Sequence, residues 1–343
     1  MAADTIDVAA FQAQKEFQNQ QGSYRKAENH PGLLDGERRR SSVSEAKVKL
    51  NSGHYIPMVA LGVYKAPNDS STEETIKWAF ESGYRHVDSA ARYANEEAVG
   101  RAVNDFVKTA GVPREEIFVT TKLWDEDHHR ATEAIDESFN KLNTGYIDLY
   151  LLHSPGPDRD MRLQAWKAME DAVYAGKIKS IGVSNFDVDQ LDDLLAHARI
   201  KPAVNQIESH PFFQHEDLRR ATAERGIHVE AYSPMAKGAA LERPEIVNIA
   251  KKHGKSTAQV LLKWGMQVGN IILPKSLNKS RIPSNADLFD FELDQDDMDV
   301  LNNLDEGMKT GKLGPLGTSA PGSRRTSSNS GGASGAKLQM SST

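Results

Sequence analysis

The fold class this 343-residue chain predicts is α/β, and within it a (β/α)8 barrel of the TIM type. Three observations lead there. Between two polar, low-complexity ends lies a block of roughly 260 residues, the usual size of an eight-stranded barrel. Within that block short β-branched runs alternate with helical stretches, the order expected of parallel strands joined by helical crossovers. No GxGxxG follows any strand, so the signature of an open dinucleotide-binding sheet is missing and closure is the simpler outcome.

The block opens with KVKL and NSGHYIPM, a hairpin whose turn chemistry comes from Asn51, Ser52 and Gly53. Strands are expected at 59–63, 86–88, 117–121, 147–152, 178–183, 203–206, 228–232 and 271–273, with helices at 72–81, 96–110, 129–142, 162–175 and 188–197. Ser71 or Thr72 is placed to cap the first helix, and Asp187 the one that begins at Val188. The resulting domains are an N-terminal extension at 1–46, a barrel at 47–308 and a Gly/Ser-rich tail at 309–343. Composition marks both ends as disordered, apart from a short helix at 8–16.

Composition excludes several classes of function. The net charge is −6 and no basic stripe interrupts it, so nucleic acid is not an expected partner. No apolar run approaches the ~18 residues of a membrane span. MAADTID is acidic early and lacks an apolar core, unlike a secretory or mitochondrial leader, so a cytoplasmic protein is expected; the expected assembly is a monomer or, at most, a weak dimer. Without cysteine there is neither disulfide nor thiolate chemistry, and a metal would need His and carboxylates alone; none is expected.

Four residues in well-formed contexts carry the chemistry: Asp88 and Tyr93 in GYRHVDSAARYANEEAVG, Lys122 in TTKLW, and His153 in LLHSP. Taken singly they read as a cap, a packed ring, a snorkelling cation and a core histidine. Taken together, in order and at comparable strand ends, they form a set for giving a proton to a carbonyl oxygen. Tyrosine has an unperturbed pKa of about 10. A nearby ammonium, here Lys122 held by Asp88, is expected to lower it, while His153 orients the carbonyl.

These segments resemble the aldo-keto reductases, and the microbial branch of glyoxal and diketogluconate reductases in particular. The resemblance implies a barrel, NADPH as cofactor and a small carbonyl substrate (an aldehyde, a dicarbonyl or a keto-sugar), with Asp88, Tyr93, Lys122 and His153 catalytic. GVSNF and VNQIESHP are similar to the segments that hold the nicotinamide carboxamide, here Ser184, Asn185 and Gln206. AYSPMAKG is similar to the segment whose aromatic residue, Tyr232, stacks on the nicotinamide and whose loop, from Ser233, wraps the pyrophosphate. LPKSLNKSRIPSN resembles the cofactor-tail motif: Lys275, Ser276 and Arg281 suit a 2′-phosphate and Asn285 meets the adenine. Without that phosphate, Lys275 and Arg281 are expected to repel each other.

Tyr64 and Trp124 occupy positions where the family lines its pocket with aromatic rings, and Ser154 stands where many relatives have Trp, which implies a wider and more polar mouth. The same resemblance leaves open a non-catalytic NADP-binding regulatory subunit, since the family includes channel-associated barrels. The residues serve carbonyl reduction and alcohol oxidation equally. Arg38, Arg39 and Arg40 before Ser41, and Arg324 and Arg325 before Thr326, read either as kinase targets or as solvated charge.

Overall fold

The computed structural model describes residues 42–311. The helix expected at 8–16 and the arginine–serine runs at 38–41 and 324–327 lie outside the described residues.

A two-stranded antiparallel hairpin comes first, β1 (Lys47–Lys49) and β2 (Tyr55–Pro57), with Lys47 opposite Pro57. Gly53 takes a φ of +88° in its turn, as the Asn-Ser-Gly sequence demands. Leu50 and Ile56 of this hairpin are buried with Phe118, Leu149, Leu151, Val204 and Ile271, which sets it against the barrel strands.

Eight parallel strands follow: β3 (Leu61–Gly62), β4 (His86–Asp88), β5 (Phe118–Leu123), β6 (Ile147–Leu152), β7 (Ile178–Ser184), β8 (Val204–Glu208), β9 (His228–Tyr232) and β10 (Ile271–Leu273). Each pairs with its neighbour in chain order. The ends of the sheet meet where Ile272 N donates to Met58 O at 2.8 Å, Ala60 N to Ile272 O at 2.9 Å and Gly62 N to Pro274 O at 3.0 Å. Those bonds close the barrel. Gly182 on β7 is required by crowding, because a Cβ there would stand 2.7 Å from a Leu151 methyl and 2.8 Å from Val204 O.

Helices cover the outside. They are α1 (Ser70–Glu81), α2 (Glu96–Ala110), α3 (Ala131–Leu142), α4 (Arg159–Tyr174), α5 (Val188–His197), α6 (Glu216–Glu224), α7 (Pro244–His253), α8 (Thr257–Gln267), α9 (Arg281–Ala286) and α10 (Gln295–Asn302). Their apolar faces and the outward faces of the strands form one large core that includes Ile76, Phe80, Val99, Ile135, Trp166 and Leu191. The cap of α1 differs from expectation. Asp69 accepts from Ser71 N at 2.9 Å, so the helix starts at Ser70 rather than Thr72; a carboxylate is also the better complement to the helix N-terminus. Asp187 does cap α5, in a capping box with Gln190. No described helix is long and apolar enough to cross a membrane.

Candidate active site

A parallel barrel gathers its C-terminal strand ends on one face, and most of the residues singled out in the sequence arrive there. Asp88 ends β4, Lys122 is the penultimate residue of β5, His153 follows β6, Ser184 ends β7, Gln206 lies in β8 and Tyr232 ends β9. The strand expected at 117–121 extends to Leu123, which places Lys122 inside the barrel wall.

Lys122 and Asp88 form the centre. The Lys122 ammonium donates to Asp88 Oδ1 at 2.7 Å, to Oδ2 at 2.8 Å and to Ser89 O at 2.7 Å, so all three of its protons have acceptors. Both side chains are buried, and an ion pair in this setting relies on that full set of hydrogen bonds to offset desolvation.

Tyr93 lies over this pair, its ring centroid 5.3 Å from Lys122 Nζ. His153 meets the Tyr93 ring edge-on at 5.7 Å and the Trp124 ring edge-on at 5.2 Å. Tyr64 stands 5.0 Å from Tyr93, and the Arg92 guanidinium lies over Trp124 at 4.0 Å. Tyr64, Tyr93, His153 and Trp124 thus form a continuous row of ring contacts.

The electrostatics differ from expectation. Burial, then the Asp88 charge, holds the Tyr93 phenol well above its ordinary range; among the cations it is Arg92 that pulls the other way. Lys122 is matched by the Asp88 carboxylate, so its field at the phenol is largely spent. Burial, then Lys122 and Arg92, keeps His153 well below the ordinary imidazole range. Its Nδ1 is buried with no hydrogen-bond partner among the described residues. At neutral pH the pair is thus a protonated phenol facing a neutral imidazole.

The next wall is an amide network. Asn185 adopts a left-handed φ of 63°, which asparagine tolerates better than most residues. Its Nδ2 donates to His153 O at 2.9 Å and to Ser184 Oγ at 3.0 Å, while its Oδ1 accepts from the Tyr232 hydroxyl at 3.0 Å. Ser184 Oγ donates to Gln206 O at 2.8 Å. Past Tyr232, φ is positive at Ser233 and again at Ala236, Lys237 and Gly238, and the turn is closed by Ala236 N donating to Ser233 O at 2.8 Å and Gly238 N to Met235 O at 2.7 Å.

Lys275 and Ser276 follow β10, and Arg281 and the buried Asn285 lie on α9. The cation facing Lys275 is Lys65 rather than Arg281. Burial, then the Lys65 charge, holds the Lys275 ammonium below its ordinary range. The reason is topological: β10 closes against β3, which brings Lys275 beside the loop that follows β3. Ser276 Oγ accepts from Asn278 N at 3.1 Å within its own turn. Ser154 is buried, and its hydroxyl donates to Asp125 Oδ2 at 2.5 Å. The Ser154 hydroxyl is therefore engaged by Asp125.

Three residues that the motifs did not single out belong to this face. Lys65 is one; a lysine after an aromatic residue is too common a pattern to stand out. Glu208 is another. Its carboxylate accepts from Thr310 N at 2.7 Å, from Gly311 N at 2.8 Å and from the Thr310 hydroxyl. Although burial opposes it, hydrogen bonds from His210, Thr310 and Gly311 hold Glu208 below the usual carboxylate range. The third, Glu230, is fully buried on β9, where burial and then the Asp88 charge push its carboxyl up to about 8. No sequence motif singles it out, and only the closed barrel shows what it meets.

Known proteins share this arrangement of chain. Residues 58–306 match the Aldo/keto reductase family. The chain is 44% identical over 266 residues to a glyoxal reductase of Bacillus subtilis, covering 77% of this chain and 94% of that one. It is 42% identical over 266 residues to methylglyoxal reductase DkgA of Escherichia coli, covering 77% of this chain and 95% of that one. Among solved structures, an aldo-keto reductase of Bombyx mori in complex with NADP superposes with a TM-score of 0.72 at 38% identity, over 77% of this chain and 96% of that one. With the barrel, the family match and this level of identity in agreement, the chain belongs to the aldo/keto reductase family.

Proposed function

We propose that this protein reduces small aldehydes and ketones, α-dicarbonyls such as glyoxal and methylglyoxal among them, to alcohols with NADPH, and that Tyr93 is the proton donor. The observation that carries this reading is the pairing of a protonated Tyr93 with a neutral His153 at one end of a fully satisfied Lys122–Asp88 pair.

In this reading the carbonyl oxygen lies between the Tyr93 hydroxyl and the His153 ring. His153, being neutral, offers one N–H to the oxygen without giving up its proton, and so orients it. The bound cofactor supplies the hydride to the carbonyl carbon. Negative charge developing on oxygen draws the Tyr93 proton across, and the tyrosinate left behind is stabilised by Arg92, the cation whose charge acts on the phenol. A proton from solvent then restores Tyr93, which balances the reaction as carbonyl, NADPH and one proton giving alcohol and NADP+. The half-exposed Tyr64 and the partly buried Trp124 give the substrate an apolar wall beside Tyr93 and His153.

The donor set supports the cofactor. Ser184, Asn185 and Gln206 present hydroxyl and amide groups side by side, matched to a carboxamide. The loop that begins at Ser233 is the segment assigned to the pyrophosphate, on its likeness to the family's cofactor loop. Lys65 and Lys275 repel each other, a strain that a bound phosphate would relieve, and Arg281 adds a forked donor.

A test is transfer of label. With glyoxal and NADPH deuterated at the transferable C4 position, the alcohol product should gain one deuterium. Product that carries none while NADPH is consumed would rule out direct hydride transfer at this site.

A further inference from the structure

We propose that Glu230 is a positioning residue that fixes the amide of Gln206, so that the glutamine presents its carbonyl oxygen, rather than its NH2, to the carboxamide of the cofactor; this rests on the NADPH reading above.

The geometry is specific. Gln206 has two N–H protons on Nε2, and both are taken: one by Asp88 Oδ2 at 2.9 Å and the other by Glu230 Oε2 at 3.0 Å. Asp88 stands on β4, four strands from β8 in an eight-stranded barrel, whereas Glu230 is the register partner of Gln206 on β9. The side chain is therefore held from both sides. Rotating the amide by half a turn would set Gln206 Oε1 against the Asp88 carboxylate, lone pair facing lone pair, and take away the N–H that Glu230 Oε2 accepts. The two acceptors together leave Oε1 as the one polar atom of Gln206 still able to bind something else. An acceptor there suits the NH2 of a nicotinamide carboxamide, and a donor would not.

Glu230 has no other evident task. Its Oε1 is buried without a hydrogen-bond partner among the described residues. The nearest basic group is His86 Nε2 at 3.9 Å, which already meets Thr120 Oγ1 at 2.8 Å. The charged and titratable groups that face the carboxyl are His86 and Asp88 from β4 and Lys122 from β5, while β8 offers it only Gln206. On the β10 side its register partner is Ile271. A carboxyl half-paired in a barrel interior is costly to bury, and what it secures here is the orientation of one amide.

The experiment compares two ligands, NADP+ and 2′,5′-ADP, which has the phosphorylated adenosine end but no nicotinamide. Their affinities are measured by calorimetry for the wild type, Glu230→Leu, Glu230→Gln, Gln206→Leu and the Gln206→Leu/Glu230→Leu double variant, with thermal unfolding of each ligand-free protein. Glu230→Leu should bind NADP+ roughly ten-fold more weakly, the worth of about one net hydrogen bond, and bind 2′,5′-ADP as the wild type does. Glu230→Gln should restore NADP+ affinity, since its amide oxygen accepts the same N–H. In the Gln206→Leu background the second substitution should weaken NADP+ no further, and this comparison decides the matter if Glu230→Leu alone fails to fold. Unchanged NADP+ affinity in Glu230→Leu, equal loss of both ligands, or additive losses in the double variant would overturn the proposal. A wild type that binds neither ligand would remove the NADPH reading itself.

Discussion

Gln206 reaches across the barrel to Asp88, its Nε2 lying 2.9 Å from Asp88 Oδ2. This bond ties the amide wall of the site to the ion pair beneath Tyr93. A change on either side is therefore felt on the other, and the four residues of the sequence motifs act within a larger connected network.

Removing the phenol is the most direct perturbation. Tyr93→Phe keeps the ring and its contacts with Tyr64 and His153 but has no proton to give. Turnover should fall by about 10²- to 10⁴-fold, the usual worth of a positioned acid, while NADPH binding stays near that of the wild type. Stopped-flow kinetics and equilibrium titration measure the two separately. Full turnover by the variant would mean that the acid lies elsewhere.

The ion pair should matter to folding as much as to chemistry. Lys122→Met leaves Asp88 buried with Gln206 as its remaining side-chain donor, and removing one partner of a buried pair costs about 3–5 kcal/mol. Lys122→Met/Asp88→Asn removes the orphaned charge and still lets Gln206 donate. In urea unfolding the double variant should be more stable than Lys122→Met alone. A double variant that is less stable would show that the charge of Asp88 is satisfied without Lys122.

The pH dependence follows from two groups. For His153, burial and then the charges of Lys122 and Arg92 favour the neutral ring, so it takes up its proton only well below 6.5. The rate profile kcat/KM should therefore be flat through pH 6.5. For Glu230, the ordinary value of 4.5 is raised to about 8 by burial and then by Asp88. Between those limits the unfolded chain has lost the proton that the folded chain keeps, so stability falls as pH rises and levels off above 8, by up to about 1.4 kcal/mol for each pH unit. Glu230→Gln has no such proton. Its stability relative to the wild type, from urea unfolding at pH 5, 6.5 and 8, should rise with pH, and a constant difference would show that Glu230 is ionised throughout.

Cofactor choice should reside in Lys275 and Arg281. Each charge-assisted bond to a 2′-phosphate is worth about 1.5–3 kcal/mol, so Lys275→Met or Arg281→Met should weaken NADPH about ten- to a hundred-fold and leave NADH nearly unaffected. Fluorescence titration with both cofactors gives the ratio. Equal losses for the two would place these cations away from the 2′-phosphate.

Much of this was legible in the sequence, because strand ends carry short local signatures. Asp88, Tyr93, Lys122 and His153 sit within five residues of a β-run, and in a parallel barrel that alone brings them to one face. The hairpin turn at Gly53 and the Asp187 cap are local too. What the sequence hid depends on closure. Only pairing between β10 and the segment before β3 puts Lys65 beside Lys275, and only the barrel diameter lets Gln206 touch Asp88 and Glu230 at once. The Tyr93 shift was misjudged for a related reason. A neighbouring lysine implies a lowered phenol, but the bidentate contact with Asp88 and the burial that reverse the sign are properties of the assembled site.

The central claim is tested most directly by following NADPH absorbance with a panel of simple aldehydes, α-dicarbonyls and open-chain sugars, with NADH run in parallel. The account predicts consumption that depends on the carbonyl, is faster with NADPH than with NADH, and falls by about 10²- to 10⁴-fold in Tyr93→Phe. Tight NADPH binding without turnover of any carbonyl in the panel would contradict it.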